Sequence, residues 1–595
     1  MGYFSYPLDT KTLLRKKIAI KKELQEQNIA WIEKRIAVLG GSTTNEIVDQ
    51  LELALLHYGI KAEFYQSEYG KYWEDSMFGN EELDSFCPDI IFIHTNWRNI
   101  QLFPQTTSSS EEVAEMLTNE FARFESMWSS LRNKFICPII QNNFDRPNYR
   151  LMGNRDIWDF RGKSNYIYNL NGRLYDYART HASFFINDID YIAQEYGLAQ
   201  WSDSVYWNMY KYACPMNAIP YVSFSVANII KSIFGRNKKL LALDLDNTLW
   251  GGVVGDDGVE GIKIGSEIPK GQVFYEFQSY VKDLLQIGIV LAVDSKNDEE
   301  NAIAGLKHPA GVLKPEDFVS IKANWNTKDQ NLCEISEDLS LGMDSFVFVD
   351  DNPAEREIVS RQLPMVSVPE MNGAENYIKI LDGSGYFEVT VISKEDSLKT
   401  RQYKARAEAK AALTSFSNYE EYLESLEMRA EITGFEPINV QRVSQLTNKS
   451  NQFNLTTLRC SEDDIQRMQD DPNYICLCGR LIDKFVDNGI VTVVSGEIKD
   501  DALHIRLWLM SCRVLKRGME DLMMNILIER ALKRGIKRIY GYYYPTSKNN
   551  MVKSFYESMG FVLDKKYSDE STTWLLDVLS YVPKHTAIDC KGFAT

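Results

Sequence analysis

The run Lys239–Asp246, KLLALDLD, constrains this chain more than any other feature. An apolar run bounded by charge fits a strand buried on both faces, the kind found in parallel sheets. This one leads into Asp244-Leu245-Asp246-Asn247-Thr248. Two carboxylates two residues apart then stand at the carboxyl end of a strand, where open α/β sheets bind ligands. Three more apolar runs follow, GIVLAVDS, FVSIKAN and SFVFVDDNP, with helices expected near 270–287, 298–306 and 328–340. Ser295 ends the first run, Lys328 opens a helix, and Asp350 and Asp351 end the last. One carboxylate can attack phosphorus while another moves a proton, and an acidic cluster offers hard oxygen ligands to Mg²⁺. Residues 237–390 are therefore expected to form an α/β domain suited to metal-assisted phosphoryl transfer.

Each of these residues has an ordinary explanation when taken alone. Asp-x-Asp commonly forms a solvated turn, a lone lysine usually lies at the surface, and a serine such as Ser295 suits a helix cap. The four motifs in this order resemble the haloacid dehalogenase superfamily, in its phosphatase branch, over roughly residues 237–385. The resemblance implies that Asp244 is the nucleophile forming an aspartyl-phosphate and Asp246 the general acid/base. It implies that Thr248 supports the loop and that Thr248, Ser295 and Lys328 hold the phosphoryl oxygens. The Mg²⁺ ligands would be Asp244, Asp246 through its backbone carbonyl, and Asp350, with Asp351 assisting from outside. Only 49 residues separate Asp246 from Ser295, and 33 separate Ser295 from Lys328. Neither interval has room for a cap domain, so a capless Rossmann-like domain is expected, with an entrance open to a bulky substrate.

Upstream, residues 35–236 alternate strand and helix patterns (RIAVLGGS, GIKAEFYQ, CPDIIFIHTN, KFICPIIQNN), which reads as a parallel α/β sheet. A basic lead-in helix is expected over 1–34. LGGSTTNE puts Ser42 at a strand-to-helix turn. It resembles the GDS block of SGNH hydrolases, with Asn96 as an oxyanion-hole partner. Gly41 replaces the aspartate of that block, and no histidine occurs in the late segment WSDSVYWNMYKY. A serine nucleophile needs a base. The competing expectation is that Ser42, Thr43 or Thr44 caps a helix and that the unit is a docking domain.

Downstream, residues 391–427 read as a charged helical connector, 428–582 as an α+β unit, and 583–595 as a tail. LHIRLWLM runs into SCRVLKRGMEDLMMN, a loop of backbone donors opening a helix. It resembles the acyl-CoA loop of GNAT acetyltransferases through Arg513 and Gly518, although Lys516 stands where the first glycine belongs. Asn549 and Tyr556 resemble the last GNAT helix, where the tyrosine protonates a departing thiolate. The resemblance implies acetyl-CoA or a phosphopantetheine arm as a ligand.

The order of the three units resembles the FkbH-like family. The carrying segments are YPLDTKTLLRKK, LGGSTTNEI, LDLDNTLWGG, FVDDNPAERE, NKSNQFNLTT and SCRVLKRG. Members that load glyceryl groups take a phosphorylated three-carbon acyl donor and pass its acyl group to an acyl carrier protein, using a cysteine just before the second-motif serine. That position is Asp294 here. The expected function is therefore a Mg²⁺-dependent phosphatase or phosphotransferase acting on a small phosphorylated metabolite or carrier-borne intermediate. Glyceryl transfer to an acyl carrier protein is the alternative, and a non-catalytic docking platform the second. A net charge of −17 argues against sequence-independent nucleic-acid binding. No apolar run reaches the ~20 residues of a membrane span, the N-terminus lacks a signal-peptide core, and the cysteines show no CxxC pair. A cytoplasmic location without membrane or nucleic-acid partners is expected.

Overall fold

Apolar runs bounded by Gly, Asp and Asn lack the spacing of an amphipathic helix and bury as strands; two parallel sheets and one mostly antiparallel sheet result. The computed structural model describes residues 3–27, 29, 31–392, 396–405, 419–450, 452–511, 514–546 and 549–590. The chain divides into two units, residues 1–233 with 461–464, and the remainder. Among the described residues, no helix is long and apolar enough to cross a membrane.

In the first unit, β1 (Ile32–Gly40), β2 (Ile60–Gln66), β3 (Ile90–His94), β4 (Ile139–Asn142) and β5 (Phe184–Asn187) form one parallel sheet in the order β2-β1-β3-β4-β5. The fifth strand, FFIN, is not among the strands expected from the sequence. The last five residues of β1 and all of β3 are buried, as expected where helices cover both faces. The lead-in is two helices, Thr10–Arg15 and Lys17–Gln25, rather than one. Lys17 Nζ holds the second to Glu46 (2.8 Å) and Asp49 (2.6 Å).

The second unit opens with a four-stranded parallel sheet of β6 (Leu240–Leu243), β7 (Val290–Ser295), β8 (Phe318–Ala323) and β9 (Phe346–Val349), ordered β8-β7-β6-β9. Alternation along each strand divides the core. Leu241, Leu243, Val293 and Val347 pack with Phe277, Val281 and Leu284 of helix Pro269–Leu284. Leu240, Ala242, Phe346 and Phe348 pack on the opposite face with Leu332, Ile335 and Leu339 of helix Lys328–Leu339. Between Asp246 and Ser295 stand a four-residue helix, Val254–Asp257, and helix Pro269–Leu284 with its short 3₁₀ extension, and no further layer. Tyr403, from the expected connector, joins the second of these clusters.

The third sheet contains β10 (Arg429–Thr433), β11 (Phe453–Asn454), β12 (Tyr474–Ile482), β13 (Asp487–Lys499), β14 (Ala502–Met510), β15 (Arg538–Tyr543), β16 (Val562–Lys566), β17 (Thr572–Asp577) and β18 (Asp589–Cys590). Its order is β16-β17-β15-β14-β13-β12-β10-β18, with β11 on β14. The sequence reading missed the β16–β17 pair. It also treated 583–595 as a tail, whereas β18 pairs in parallel with β10. Near 549–559, where one helix was expected, only short turns form, Asn550–Val552 and Phe555–Ser558. The described cysteines are all free.

Candidate active site

β6 ends at Leu243, and the chain turns immediately after Asp244. Asn247 adopts a left-handed φ of 56°, a conformation asparagine tolerates better than most residues. Leu249 N then donates to Leu245 O at 2.7 Å and closes the loop. This turn aims Asp244 at the ends of β7 and β9.

Four elements meet there. Lys328 Nζ, at the start of its helix, donates to Asp244 Oδ1 at 2.6 Å and to Asp350 Oδ2 at 2.5 Å. The Ser295 hydroxyl and the Leu245 N–H lie close enough to Asp244 to favour its charged form. Asp350 Oδ1 accepts from Asn352 N at 2.8 Å. Arg356 Nη1 donates to the carbonyls of Asp350 (2.8 Å) and Asp351 (2.7 Å), fixing the backbone that carries both acids. Thr248 Oγ1 accepts from Asp351 N at 3.2 Å, so the threonine braces the β9 loop. Asp244, Asp350 and Asp351 each place one carboxylate oxygen within 4.8 Å of the others.

Asp244, Lys328 and Asp350 are buried and Asp351 half-buried. Burial raises the pKa of Asp244, Asp350 and Asp351, and Asp244 raises that of Asp350 further. Burial works against the Lys328 ammonium, but the Asp244 and Asp350 carboxylates outweigh it and hold its pKa above the usual lysine value. Three carboxylates against one ammonium leave excess negative charge in a poorly solvated site. The all-oxygen donor set fits a hard divalent cation such as Mg²⁺.

Asp246 differs from the rest. Its carboxylate stands outside the three-acid cluster and accepts three hydrogen bonds: Trp250 Nε1 (2.9 Å) and Val254 N (3.0 Å) on one oxygen, Asn297 Nδ2 (2.9 Å) on the other. The orientation of the side chain is thereby fixed. Asn297 and Arg356 are the members the sequence reading missed, although Arg356 lies in the segment FVDDNPAERE and Asn297 two residues past Ser295. Asp294, where loaders of glyceryl groups carry cysteine, is fully buried and accepts from Asn331 Nδ2 at 2.9 Å. Burial pushes its pKa up to about 8.

The flanking candidates are placed differently. Ser42 and Asn96 come to neighbouring strand ends, since Gly40 pairs with His94. The helix Asn45–His57 starts at Thr44 without a side-chain cap, so the expected capping bond does not form. In the last sheet, Arg513 lies outside the described residues. Gly518 (φ 84°) precedes helix Met519–Lys533, and Lys516 adopts φ 63°, the left-handed geometry that the replaced glycine would favour. Asn549 is wholly occupied: its amide donates to Asn454 O and Tyr544 O at 2.9 Å, and its carbonyl accepts from Thr546 N at 2.7 Å. Tyr556 is buried against Gly541, where an added Cβ would lie 2.3 Å from its ring. Both side chains are buried, and the Tyr556 hydroxyl has no hydrogen-bond partner among the described residues. β14 and β15 pair only over Ala502–His504 and Arg538–Tyr540. Where they part, residues 453–455 enter: Leu455 N donates to Trp508 O (3.0 Å) and Tyr544 N donates to Leu455 O (2.9 Å).

The model of the FkbH N-terminal domain family matches residues 35–231. No curated protein matches the chain. Among solved structures, the N-terminal part of protein BF1531 from Bacteroides fragilis, described as containing a phosphatase domain complexed with Mg, aligns with a TM-score of 0.58 at 28% identity. The alignment covers 63% of this chain and 99% of that one. The Escherichia coli ribosomal-protein-S18-alanine N-acetyltransferase (TM-score 0.21, 14% identity) covers 25% of this chain and 94% of its own. The Thermoplasma acidophilum PaiA N-acetyltransferase, in complex with coenzyme A (TM-score 0.21, 14% identity), covers 25% and 98%.

Proposed function

We propose that this chain is a Mg²⁺-dependent phosphatase or phosphotransferase of the haloacid dehalogenase type, acting through an aspartyl-phosphate on a small phosphorylated metabolite or a carrier-borne intermediate. The observation that carries the reading is the junction of Asp244, Lys328 and Asp350 at the ends of adjacent parallel strands, with Asp351 completing a three-carboxylate cluster. The likeness to a phosphatase-domain structure complexed with Mg supports it.

Asp244, Asp350 and Asp351 would hold Mg²⁺, which when bound neutralises charge on the phosphoryl oxygens and their carboxylate neighbours. Asp244 attacks phosphorus, and the bond from phosphorus to the departing oxygen breaks. Asp246, outside the metal cluster and oriented by Trp250, Val254 and Asn297, protonates that oxygen. It then takes a proton from the water that releases inorganic phosphate from Asp244. Lys328 and Ser295 hold the transferring group by charge and hydrogen bonding.

The alternative of acyl loading finds no thiol at the second motif. Asp294 is enclosed and bonded to Asn331, so the proposal stops at phosphoryl chemistry. Turnover of p-nitrophenyl phosphate with Mg²⁺ tests the reading. Activity lost with chelator and with Asp244→Asn is expected, and retained turnover in Asp244→Asn overturns the mechanism.

A further inference from the structure

Trp325 stands in loop 324–327, between the end of β8 at Ala323 and helix Lys328–Leu339. It is 72% exposed. A single exposed apolar side chain needs no explanation by itself. This one, however, is held in place: Trp325 Nε1 donates to Asp298 Oδ1 at 3.0 Å. Asp298 is the N-cap residue of helix Glu299–Leu306, yet its side chain makes no cap hydrogen bond. Aspartate is among the best capping residues. Here its carboxylate serves an indole in solvent instead, an arrangement that orders the tryptophan without burying it.

The loop is pinned on both sides of Trp325. Ala323 pairs with Ser295, and Asn324 N donates to Ser295 O at 3.1 Å. Trp325 therefore lies beyond the level of Ser295, on the rim where the strands of this sheet end. Asn326 N donates to Asn324 Oδ1 at 3.0 Å, and Asn324 Nδ2 donates to Asn331 Oδ1 at 3.1 Å. Three residues after Trp325, Lys328 reaches Asp244. Between Ser295 and Lys328 the chain holds helix Glu299–Leu306, a 3₁₀ turn and β8, so no cap layer is available to enclose the indole.

The bond to Asp298 fixes which side of the site the indole borders. Asn297, the preceding residue, donates to Asp246 Oδ2 at 2.9 Å. Consecutive Cα atoms are ~3.8 Å apart, so the indole edge is tied one residue away from the side chain that orients Asp246. In the mechanism above, Asp246 protonates the departing oxygen. The alcohol attached to that oxygen is then the part of the substrate that meets Trp325.

We propose that Trp325 is a stacking platform for the leaving group, and that the preferred substrates are phosphate monoesters whose alcohol carries a planar ring, such as a nucleobase. The inference rests on the phosphatase reading and adds a substrate class to it. An indole presents a flat π face on which another planar ring stacks in an offset arrangement. Because Asp298 already fixes the indole, little conformational freedom is lost when a ring docks on it. A puckered or aliphatic alcohol of the same size gains less from such a face. Trp325 selects the leaving group and takes no part in moving the phosphoryl group.

The test uses the full chain with Mg²⁺ and two matched pairs of phosphates: AMP against ribose phosphate, the same ester without its base, and benzyl phosphate against cyclohexylmethyl phosphate. The ring member of a pair is favoured about tenfold in kcat/KM, the scale of stacking one base on an aromatic side chain, with the difference carried by KM. Trp325→Ala removes the preference, Trp325→Phe keeps part of it, and Asp298→Ala weakens it. Unfolding midpoints of the three variants stay near that of the parent, because both side chains are exposed. Equal kcat/KM within both pairs, or a preference that survives Trp325→Ala, overturns the proposal and leaves the phosphatase reading standing. Binding is measured separately by calorimetry on Asp244→Asn. If no phosphate is turned over, the phosphatase reading falls; tighter binding of AMP than of ribose phosphate, lost when Trp325→Ala is added, then still supports the ring site. Equal binding of the two overturns it.

Discussion

Asn297 donates its side-chain amide to Asp246 Oδ2 at 2.9 Å, reaching from the loop after β7 to the loop after β6. The second acid of the Asp-x-Asp pair is thus oriented by a residue that does not itself react. Asn297→Ala removes one of three bonds holding that carboxylate. A loss of ~1.4 kcal/mol in transition-state stabilisation is about tenfold in rate. We expect kcat for p-nitrophenyl phosphate to fall about tenfold with KM unchanged, and Asn297→Ser to recover part of it. An equal loss in both parameters for both variants would remove Asn297 from the positioning of Asp246.

Lys328 joins two buried carboxylates, and its removal leaves both uncompensated. Breaking one partner of such a buried arrangement costs about 3–5 kcal/mol. Lys328→Met should lower the metal-free unfolding midpoint, and Mg²⁺ should raise the midpoint of this variant more than that of the parent chain. Activity should fall by about 10²–10³, the scale for removing one preorganised donor from a developing charge. Calorimetry with and without Mg²⁺ checks the first part, and steady-state kinetics the second.

Asp294 gives a pH signature. Burial pushes its pKa up to about 8, against an ordinary value of about 3.9. A carboxyl whose pKa rises on folding contributes stability that is complete below the unfolded pKa and is lost as pH climbs through the folded one. Between these limits the loss approaches ~1.4 kcal/mol per pH unit. Asp294→Asn cannot ionise, so its stability relative to the parent should grow from pH 5 to pH 8 in urea denaturation. A constant difference would show that Asp294 is not the group responsible.

In the C-terminal sheet, the gap between β14 and β15 is already bridged by Leu455 through two backbone hydrogen bonds. A pantetheine arm entering there would have to displace both. Titration of the full chain with acetyl-CoA should give no binding heat. Asn549→Ala, which removes the side chain tying Asn454 and Tyr544 together, should destabilise the chain by about 1–3 kcal/mol. Saturable heat with acetyl-CoA would contradict this reading of the cleft.

The phosphatase-like sheet was legible because β6 and β9 are uninterrupted apolar runs and Asp244 and Asp350 sit one residue beyond them. The junction of Asp244, Lys328 and Asp350 could be anticipated by motif order alone. Asn297 and Arg356 could not, since an asparagine in a loop and an arginine early in a helix carry no pattern until the neighbouring strand ends are known. β5 escaped notice because FFIN stands between polar residues without a flanking apolar run, and β18 because two residues make no period. His94 lies within the third strand, not late in the unit where a serine's base is expected, and its Nδ1 lies 2.8 Å from the side-chain amide of Asn142, 48 positions away. Asn549 and Tyr556 had the right spacing, but spacing does not say whether a side chain faces a cleft or its own fold.

Every reacting group proposed for phosphoryl transfer lies at or beyond the last paired residue of a strand, while β6 and β9 are themselves buried along their whole length. Inheritance of the scaffold and inheritance of the chemistry are therefore largely separate. A lineage can exchange the residues at the rim and try a new reaction without renegotiating the interior that keeps the chain folded.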